Sequence, residues 1–285
     1  MTGYYERRTS RVAYWCQGIA ATCIPYFVIV ILLHRFAKVT TPETLVLIAF
    51  GLLMLLASLA FGARAVFDLW NRGDRGGGAT IRGVLLSTIM LAPFVWYAWL
   101  AVKHPAINDV ATDFGSPPAF VEVARIREAG LAKGMNPLAN YDDNYADLLI
   151  SAYPKVGSRR YDTGSARIYT AVRALIAKRH WQVLAVRGLR TQDKAAEGDA
   201  ATGGEDAPLD LDAPNDIEIE AVASSRIFGF KSDVAIAIHP EAESTLVDMR
   251  SASRYGHHDF GANAAQIEKF LADLDTALVG IAGEG

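Results

Sequence analysis

Residues Thr44–Ala63 have the sequence TLVLIAFGLLMLLASLAFGA, which is 20 consecutive residues without a charged side chain. A hydrocarbon core of about 30 Å requires about 20 apolar residues of α-helix, and an ionised side chain at its centre costs about 2.5–3.5 kcal/mol. Two similar windows flank this one, Val12–Leu33 with 22 residues and Gly83–Val102 with 20. The pattern predicts three transmembrane helices within residues 1–103, with the lipid bilayer as their partner.

The positive charges beside these windows predict the orientation of the helices. Arg35, Lys38 and Lys103 follow the first and third windows, whereas seven arginines lie in the N-terminal tail and in the connection between the second and third windows. Lys and Arg favour the cytoplasmic side of a membrane, so we expect the N-terminus in the cytoplasm. After three spans, residues 104–285 are then extracytoplasmic, which in a bacterium means the periplasm beyond the inner membrane. The seven arginines are Arg7, Arg8, Arg11, Arg64, Arg72, Arg75 and Arg82.

The net charge of −3 conceals a difference between the two parts of the chain. Up to Val102 there are nine basic and four acidic residues, and from Lys103 onward there are 19 basic and 27 acidic residues. The second part therefore carries a net charge of −8, which repels nucleic acid. Both cysteines, Cys16 and Cys23, lie in the first apolar window, so no disulfide is expected in the second part.

Helical and strand patterns alternate in the second part. Apolar residues at helical spacing predict helices at Ala119–Ala132 and Thr163–His180, and Trp181–Val186 is expected to be a strand. Tyr141–Tyr145 (YDDNY) is polar and typical of a turn. Thr191–Asn215 is acidic, rich in Ala, Gly and Asp and nearly devoid of large apolar residues, which predicts a flexible loop.

Three further strands and a last helix complete the second part. Ile217–Val222 and Asp233–His239 alternate apolar and polar residues, Ser244–Ser253 is a further strand, and Asn263 is expected to cap a final amphipathic helix. The order of these elements predicts an α+β domain with an antiparallel sheet and helices packed on one face. The predicted fold is thus three transmembrane helices followed by a soluble α+β domain.

Several stretches resemble domain of unknown function (DUF) family 1499 between Pro105 and about Leu278. They are INDVATD at Ile107–Asp113, FGFKSDV at Phe228–Val234, VDMRSASR at Val247–Arg254 and DFGAN at Asp259–Asn263. Many members of that family have two adjacent acids where this chain has Ser232-Asp233, and some open with a cysteine motif that is missing here. The resemblance implies a membrane-anchored or exported bacterial envelope domain and implies no activity.

The VDMRSASR stretch suggests a site for a small anion. On a strand, Asp248, Arg250, Ala252 and Arg254 share one face, while Ser251 and Ser253 lie on the other. Two guanidiniums, a serine hydroxyl and the N-terminus of the last helix suit a phosphate or carboxylate, as on a lipid headgroup or a peptidoglycan fragment. The candidate ligand-binding residues are Arg250, Ser251, Ser253, Arg254, Asp259 and Asn263.

Two other interpretations remain open for the same residues. In a structural one, Arg250 pairs with Glu218 or Glu220, and Arg254 pairs with Asp259 or Asp233. A hydrolase would combine Ser251 or Ser253 with nearby His257, His258 and Asp259, yet no G-x-S-x-G elbow surrounds either serine. The sequence therefore leaves three functions: a module that binds or senses a ligand, a structural or interaction module that docks an envelope protein, and an enzyme.

No cofactor and no metal is predicted. A phosphate-binding loop and a GxGxxG fingerprint are both missing from the sequence, and the His257-His258 pair has His239 as its nearest further histidine.

Overall fold

The computed structural model describes residues 7–36, 39–191, 209–210 and 215–281. They divide into two compact units. The first lies within Met1–Lys103 and Arg226–Gly229, and the second within His104–Ser225 and Phe230–Gly285.

Three long apolar helices make up the first unit, as predicted: α1 (Arg11–Phe36), α2 (Thr41–Arg72) and α3 (Gly77–Lys103). Each is long and apolar enough to cross a membrane. Each also extends beyond its charge-free window. With 32 residues, α2 is about 48 Å long at about 1.5 Å per residue, well over the thickness of a hydrocarbon core.

Small residues bring the three helices into close contact. The Ser58 hydroxyl donates to the carbonyl of Cys16 at 2.9 Å, and the Ser87 hydroxyl donates to Ser58 Oγ at 2.8 Å, so one chain of hydrogen bonds joins all three helices. Gly83 lies so close to α1 that a Cβ there would be 2.5 Å from Cys16 Sγ. Such contacts are the usual basis of helix association in lipid, where apolar burial gives no net drive.

A six-stranded antiparallel sheet forms the second unit, in the order β1-β8-β7-β6-β3, with β2 also paired to β8. A separate two-stranded ladder pairs β4 with β5. The strands are β1 (Asp109–Ala111), β2 (Arg159–Tyr161), β3 (Gln182–Arg187), β4 (Arg190–Thr191), β5 (Leu209–Asp210), β6 (Ile217–Ser224), β7 (Lys231–Pro240) and β8 (Thr245–Ser253). The helices are α4 (Glu122–Gly130), α5 (Asp143–Ala152), α6 (Ser165–Lys178) and α7 (Ala262–Ile281).

One face of the sheet is apolar and carries the main core. Ile236 of β7 and Met249 of β8 are fully buried there together with Val172 of α6 and Phe270 of α7. Leu149 of α5 joins the same cluster. The predicted α+β architecture, an antiparallel sheet with helices packed on one face, is confirmed for α5, α6 and α7.

The opposite face of the sheet is also covered, which the sequence analysis did not anticipate. Phe120 and Val123, at the start of α4, pack there against Ala235 of β7 and Ala252 of β8. Strand alternation places charged side chains on this second face, including Glu220, Asp233 and Arg250. These charges are therefore inside the domain, between the sheet and the segment around α4.

The YDDNY stretch is a helix start rather than the predicted turn. Asp142 caps α5, because its carboxylate accepts a hydrogen bond from the backbone N–H of Tyr145 at 2.8 Å. Polar residues are common both at turns and at helix N-termini, which explains the error. The predicted loop Thr191–Asn215 lies outside the described residues, apart from Thr191, Leu209, Asp210 and Asn215.

Candidate functional site

The structure brings the six candidate residues close together: Arg250, Ser251 and Ser253 are on β8, Arg254 follows it, Asp259 precedes α7, and Asn263 is in the first turn of α7. Strand β8 is regular, so Asp248, Arg250 and Ala252 lie on the second face of the sheet, as predicted. All but Ser253 are buried. What each side chain contacts decides what it can do.

Arg250 forms a buried bidentate ion pair with Asp109 of β1. Its Nε donates to Asp109 Oδ1 at 2.9 Å, and its Nη2 donates to Asp109 Oδ2 at 2.8 Å. The guanidinium lies between the rings of Phe120 and Tyr141, at 4.9 and 4.8 Å from their centroids. Burial alone lowers the pKa of Arg250, but the hydrogen bonds and charge of Asp109 outweigh it and raise that pKa. The expected pairing with Glu218 or Glu220 is wrong.

Asp109 is itself saturated. Besides Arg250, its carboxylate accepts hydrogen bonds from the Tyr141 hydroxyl at 2.9 Å and from the backbone N–H of Ala139 at 3.1 Å. A carboxylate has about four acceptor positions, and all are used here. The carboxylate of Asp109 therefore has no acceptor position left for a ligand.

Arg254 pairs with Asp233, one of the two partners that the structural interpretation gave. Its Nε and Nη2 donate to Asp233 Oδ1 at 2.8 and 2.7 Å. Asp233 Oδ2 accepts from Arg127 of α4 at 2.9 Å. Arg127 also donates to the backbone carbonyls of Asn136, Ala252 and Ser253, so its donors are consumed inside the domain. Burial, the largest influence, lowers the pKa of Arg127 despite the charge of Asp233.

Glu220 of β6 anchors the start of α4 to the sheet. Its carboxylate accepts hydrogen bonds from the backbone N–H groups of Val121, Glu122 and Val123 at 2.8–3.1 Å. Arg187 of β3 donates to it as well, at 2.5 Å. Burial raises the pKa of Glu220, but the backbone N–H groups and Arg187 overcome this and lower that pKa below its ordinary value.

The remaining candidates connect β8 to α7. The Ser251 hydroxyl donates to Asn263 Oδ1 at 2.7 Å, and Asn263 Nδ2 donates to Ser253 Oγ at 2.9 Å. Asp259, rather than Asn263, caps α7, because its carboxylate accepts from the backbone N–H groups of Gly261 and Asn263 at 2.9 and 2.8 Å. The predicted Asn263 cap is therefore wrong. Burial raises the pKa of Asp259, although these N–H groups oppose the shift.

The contacts favour the structural interpretation of the two arginines over the anion site. Arg250 and Arg254 are 6% and 7% exposed, and a carboxylate faces each guanidinium. An anion would have to displace Asp109 or Asp233 and leave that carboxylate buried without a partner, at a cost of several kcal/mol. Ligand binding by the six residues stays a prediction.

The hydrolase interpretation gains no support from the geometry. Ser251 and Ser253 both contact Asn263. His258 bonds to backbone atoms, with Nδ1 accepting from the N–H of Phe260 at 2.9 Å and Nε2 lying 3.1 Å from the carbonyl of His104. In the part of the chain that the structure describes, no three His, Cys, Asp or Glu side chains are placed to hold a metal ion.

Tyr153 carries an unusual buried polar atom. It is 6% exposed, and its hydroxyl has no hydrogen-bond partner among the described residues. Its ring stacks on His104, with centroids 5.8 Å apart. Burial first, and then the charge of Asp259, raise the pKa of Tyr153 to about 12. A water molecule or a ligand atom is what normally satisfies such a group.

Sequence reasoning missed Asp109 and Arg127 as partners in this network, and it paired Glu220 with Arg250 instead of Arg187. A signal for two of them exists in the printed sequence. Asp109 lies inside the INDVATD stretch that carries the family resemblance, and Glu220 is one of two acids in the alternating stretch Ile217–Val222. Arg127 has no comparable signal, because one arginine in a polar helix is most often solvated.

A family model described as "Protein of unknown function (DUF1499)" matches residues 109–274. The match covers more than half of the chain and includes both buried ion pairs. No curated protein and no solved structure matches the chain significantly.

Proposed function

The chain belongs to the DUF1499 family, and we propose that it is a membrane-anchored structural or interaction protein of the bacterial cell envelope. In this proposal α1–α3 hold the protein in the inner membrane, and residues 104–285 form a periplasmic module that docks an envelope protein. The seven arginines at one end of the helices, against three basic residues at the other, support this orientation.

The observation that carries the proposal is the internal pairing of the charged residues in the family's own signature. Arg250 with Asp109, and Arg254 with Asp233, lie within the matched residues, and each pair is buried. A binding or catalytic site keeps polar groups available at a cavity, whereas these groups fix β1, β7 and β8 to the segment around α4. The charged residues of the VDMRSASR stretch therefore have a structural role, and in this proposal the outer surface of the domain contacts the partner.

A ligand titration on the full chain in detergent tests this proposal. Inorganic phosphate, glycerol phosphate or acetate is added, and the thermal unfolding of the second unit is followed by hydrogen exchange. We expect each anion to change the unfolding midpoint of wild type and of the Arg254→Lys variant by the same amount. The matched control is Arg125→Lys, because Arg125 pairs with Glu122 at the surface.

The opposite result would replace the proposal. A rise in midpoint that depends on anion concentration, is lost in Arg254→Lys and is retained in Arg125→Lys would assign an anion site to β8. The docking part is tested by photo-crosslinking in intact cells. A crosslinker at the exposed Ile150 of α5 should capture one defined protein, and a crosslinker at the neighbouring exposed Ser151 should not.

One observation favours ligand binding as a second candidate. The hydroxyl of Tyr153, which has no hydrogen-bond partner in the described part of the chain, is a buried polar group that a small polar ligand would satisfy. Tyr153→Phe removes that hydroxyl and preserves the ring. If the hydroxyl serves a ligand, this variant loses a small molecule that copurifies with wild type. If the hydroxyl contacts water alone, wild type and Tyr153→Phe copurify with the same small molecules.

A further inference from the structure

One end of the three-helix unit is strongly basic, and its basic residues are all arginines. Seven arginines lie there, and the described carboxylates among them are those of Asp68 and Asp74. Arginine presents a planar fork of donors that matches a phosphate group, whereas lysine presents a point charge. Orientation in a membrane requires positive charge of either kind. The seven arginines are therefore chemically suited to bind phosphate groups.

The backbone holds part of this end in a fixed arrangement. The N–H of Ser10 donates to the carbonyl of Arg75 at 2.8 Å, and the N–H of Arg75 donates to the carbonyl of Arg8 at 2.8 Å. Ser10 also caps α1, because its hydroxyl accepts from the N–H of Ala13 at 3.3 Å. The N-terminal tail is thus fastened to the connection between α2 and α3, and the backbone of Arg8 and Arg75 is held in place.

Among the described residues, carboxylates form salt bridges with only some of these arginines. Asp68 lies 3.1 Å from Arg64 and 3.4 Å from Arg72. Within the described ranges, no carboxylate forms a salt bridge with Arg8, Arg11 or Arg75, and all three side chains are exposed. Their charge is therefore free to meet an external anion.

A shallow, open depression lies at this end and is lined by Arg11, Tyr14 and Trp15. Tyr14 and Trp15 are 56% and 64% exposed. Aromatic residues with a polar edge prefer the level of the lipid headgroups, so these rings suit the glycerol and upper acyl region. An arginine beside them then lies at the level of the phosphate.

We propose that this depression binds the headgroup of an anionic phospholipid, with Arg11 on the phosphate and Tyr14 and Trp15 against the glycerol region. Arg8 and Arg75, held nearby by their backbone hydrogen bonds, favour a lipid with net negative charge over a zwitterionic one. The site belongs to the membrane unit and is independent of the function proposed for residues 104–285.

Native mass spectrometry of the full chain tests the proposal. The protein is equilibrated with equal amounts of phosphatidylglycerol and phosphatidylcholine, and the lipids that remain bound are counted. Wild type should retain the anionic lipid preferentially. Each arginine near a membrane surface contributes about fivefold in affinity, so Arg11→Gln should retain phosphatidylglycerol about fivefold less well. Arg75→Gln should act in the same direction and leaves the fold intact, since the contacts that fasten Arg75 use its backbone.

The matched control is Lys103→Gln at the other end of α3. Lys103 also lies beside an aromatic ring, 5.1 Å from the centroid of Trp99, and its removal changes the charge equally. Equal losses in Arg11→Gln and Lys103→Gln, or no loss in Arg11→Gln, would overturn the proposal. If Arg11→Gln unfolds in neutral lipid, the loss of phosphatidylglycerol in Arg75→Gln is compared with that in Lys103→Gln instead, and equal losses would overturn the proposal. Displacement of the lipid by excess inorganic phosphate would assign the depression to a soluble anion and also overturn it.

Discussion

Arg250 and Asp109 are 141 residues apart in the chain and meet through two parallel hydrogen bonds of 2.9 and 2.8 Å. The pair joins β1 to the neighbouring strand β8, where Asp109 lies opposite Ala252 in the antiparallel register. Both side chains are buried, so their mutual attraction compensates for the hydration that each charge loses.

Asp109→Asn should destabilise the second unit strongly. The change leaves the Arg250 guanidinium buried without its counter-charge, and breaking a buried pair in this way costs about 3–5 kcal/mol. The free energy is measured by hydrogen exchange of the β8 amides in increasing denaturant, on the full chain. The control is Glu241→Gln in the exposed pair with Arg160, where a much smaller loss is expected because solvent screens the pair. Similar losses for the two variants would contradict the structural role of the pair.

Asp233→Asn should cost more than Arg254→Met. Asp233 compensates two buried guanidiniums, Arg127 through Oδ2 and Arg254 through Oδ1. Removing its charge leaves two cations unpaired, whereas Arg254→Met removes one cation and leaves Asp233 paired with Arg127. Denaturant midpoints of the two variants, measured on the same β7 amides, check this order. The reverse order would mean that Arg127 does not share the carboxylate.

Stability should fall with acidification through Glu220. Its pKa in the folded protein is lowered below the ordinary value of 4.5, so its contribution is present above about pH 4.5. That contribution is lost as the pH falls through the lower folded pKa. Urea unfolding of wild type and Glu220→Gln at several pH values isolates this group, because the raised pKa of Asp259 acts equally in both proteins. The gap between the two curves should narrow below pH 4.5, and a constant gap would count against this assignment.

Gly83→Ala should loosen the three-helix unit, and Gly18→Ala should not. A Cβ at Gly83 would meet Cys16 Sγ at 2.5 Å and the backbone N of Gln17 at 2.7 Å, while a Cβ at Gly18 has nothing within 4 Å. Overpacking costs about 1–3 kcal/mol, whereas glycine to alanine in an open helix position gains about 0.5–1 kcal/mol. Unfolding in sodium dodecyl sulphate, followed by energy transfer between labels on α1 and α3, measures both. Equal stability of the two variants would show that α1 and α3 pack differently.

The C-terminus should lie outside the cytoplasm. An odd number of spans follows an N-terminus that the seven arginines favour on the inner side. An alkaline phosphatase fusion at the C-terminus should be active in a bacterial host, and a green fluorescent protein fusion at the same point should stay dark. The reverse pair of signals would invert the orientation and move the second unit into the cytoplasm.

Local patterns were enough for most of the elements. The 20 uncharged residues at Thr44–Ala63 predict a long apolar helix because no soluble context favours such a run. Alternation at Asp233–His239 likewise predicts β7, which extends over Lys231–Pro240. The strand β1 and the helix α5 were not predicted, because β1 has only three residues and the start of α5 has the composition of a turn.

The sequence by itself determined that three apolar helices precede an α+β domain, because charge-free length and residue alternation are local properties. It also predicted that Arg250 and Arg254 share one face of a strand, although β8 ends at Ser253, one residue before Arg254. Only the tertiary structure decided that Arg250 meets Asp109, and that the second face of the sheet lies under the segment around α4. The choice among several carboxylates depends on strand order and register, which bring distant residues together and which no local pattern encodes.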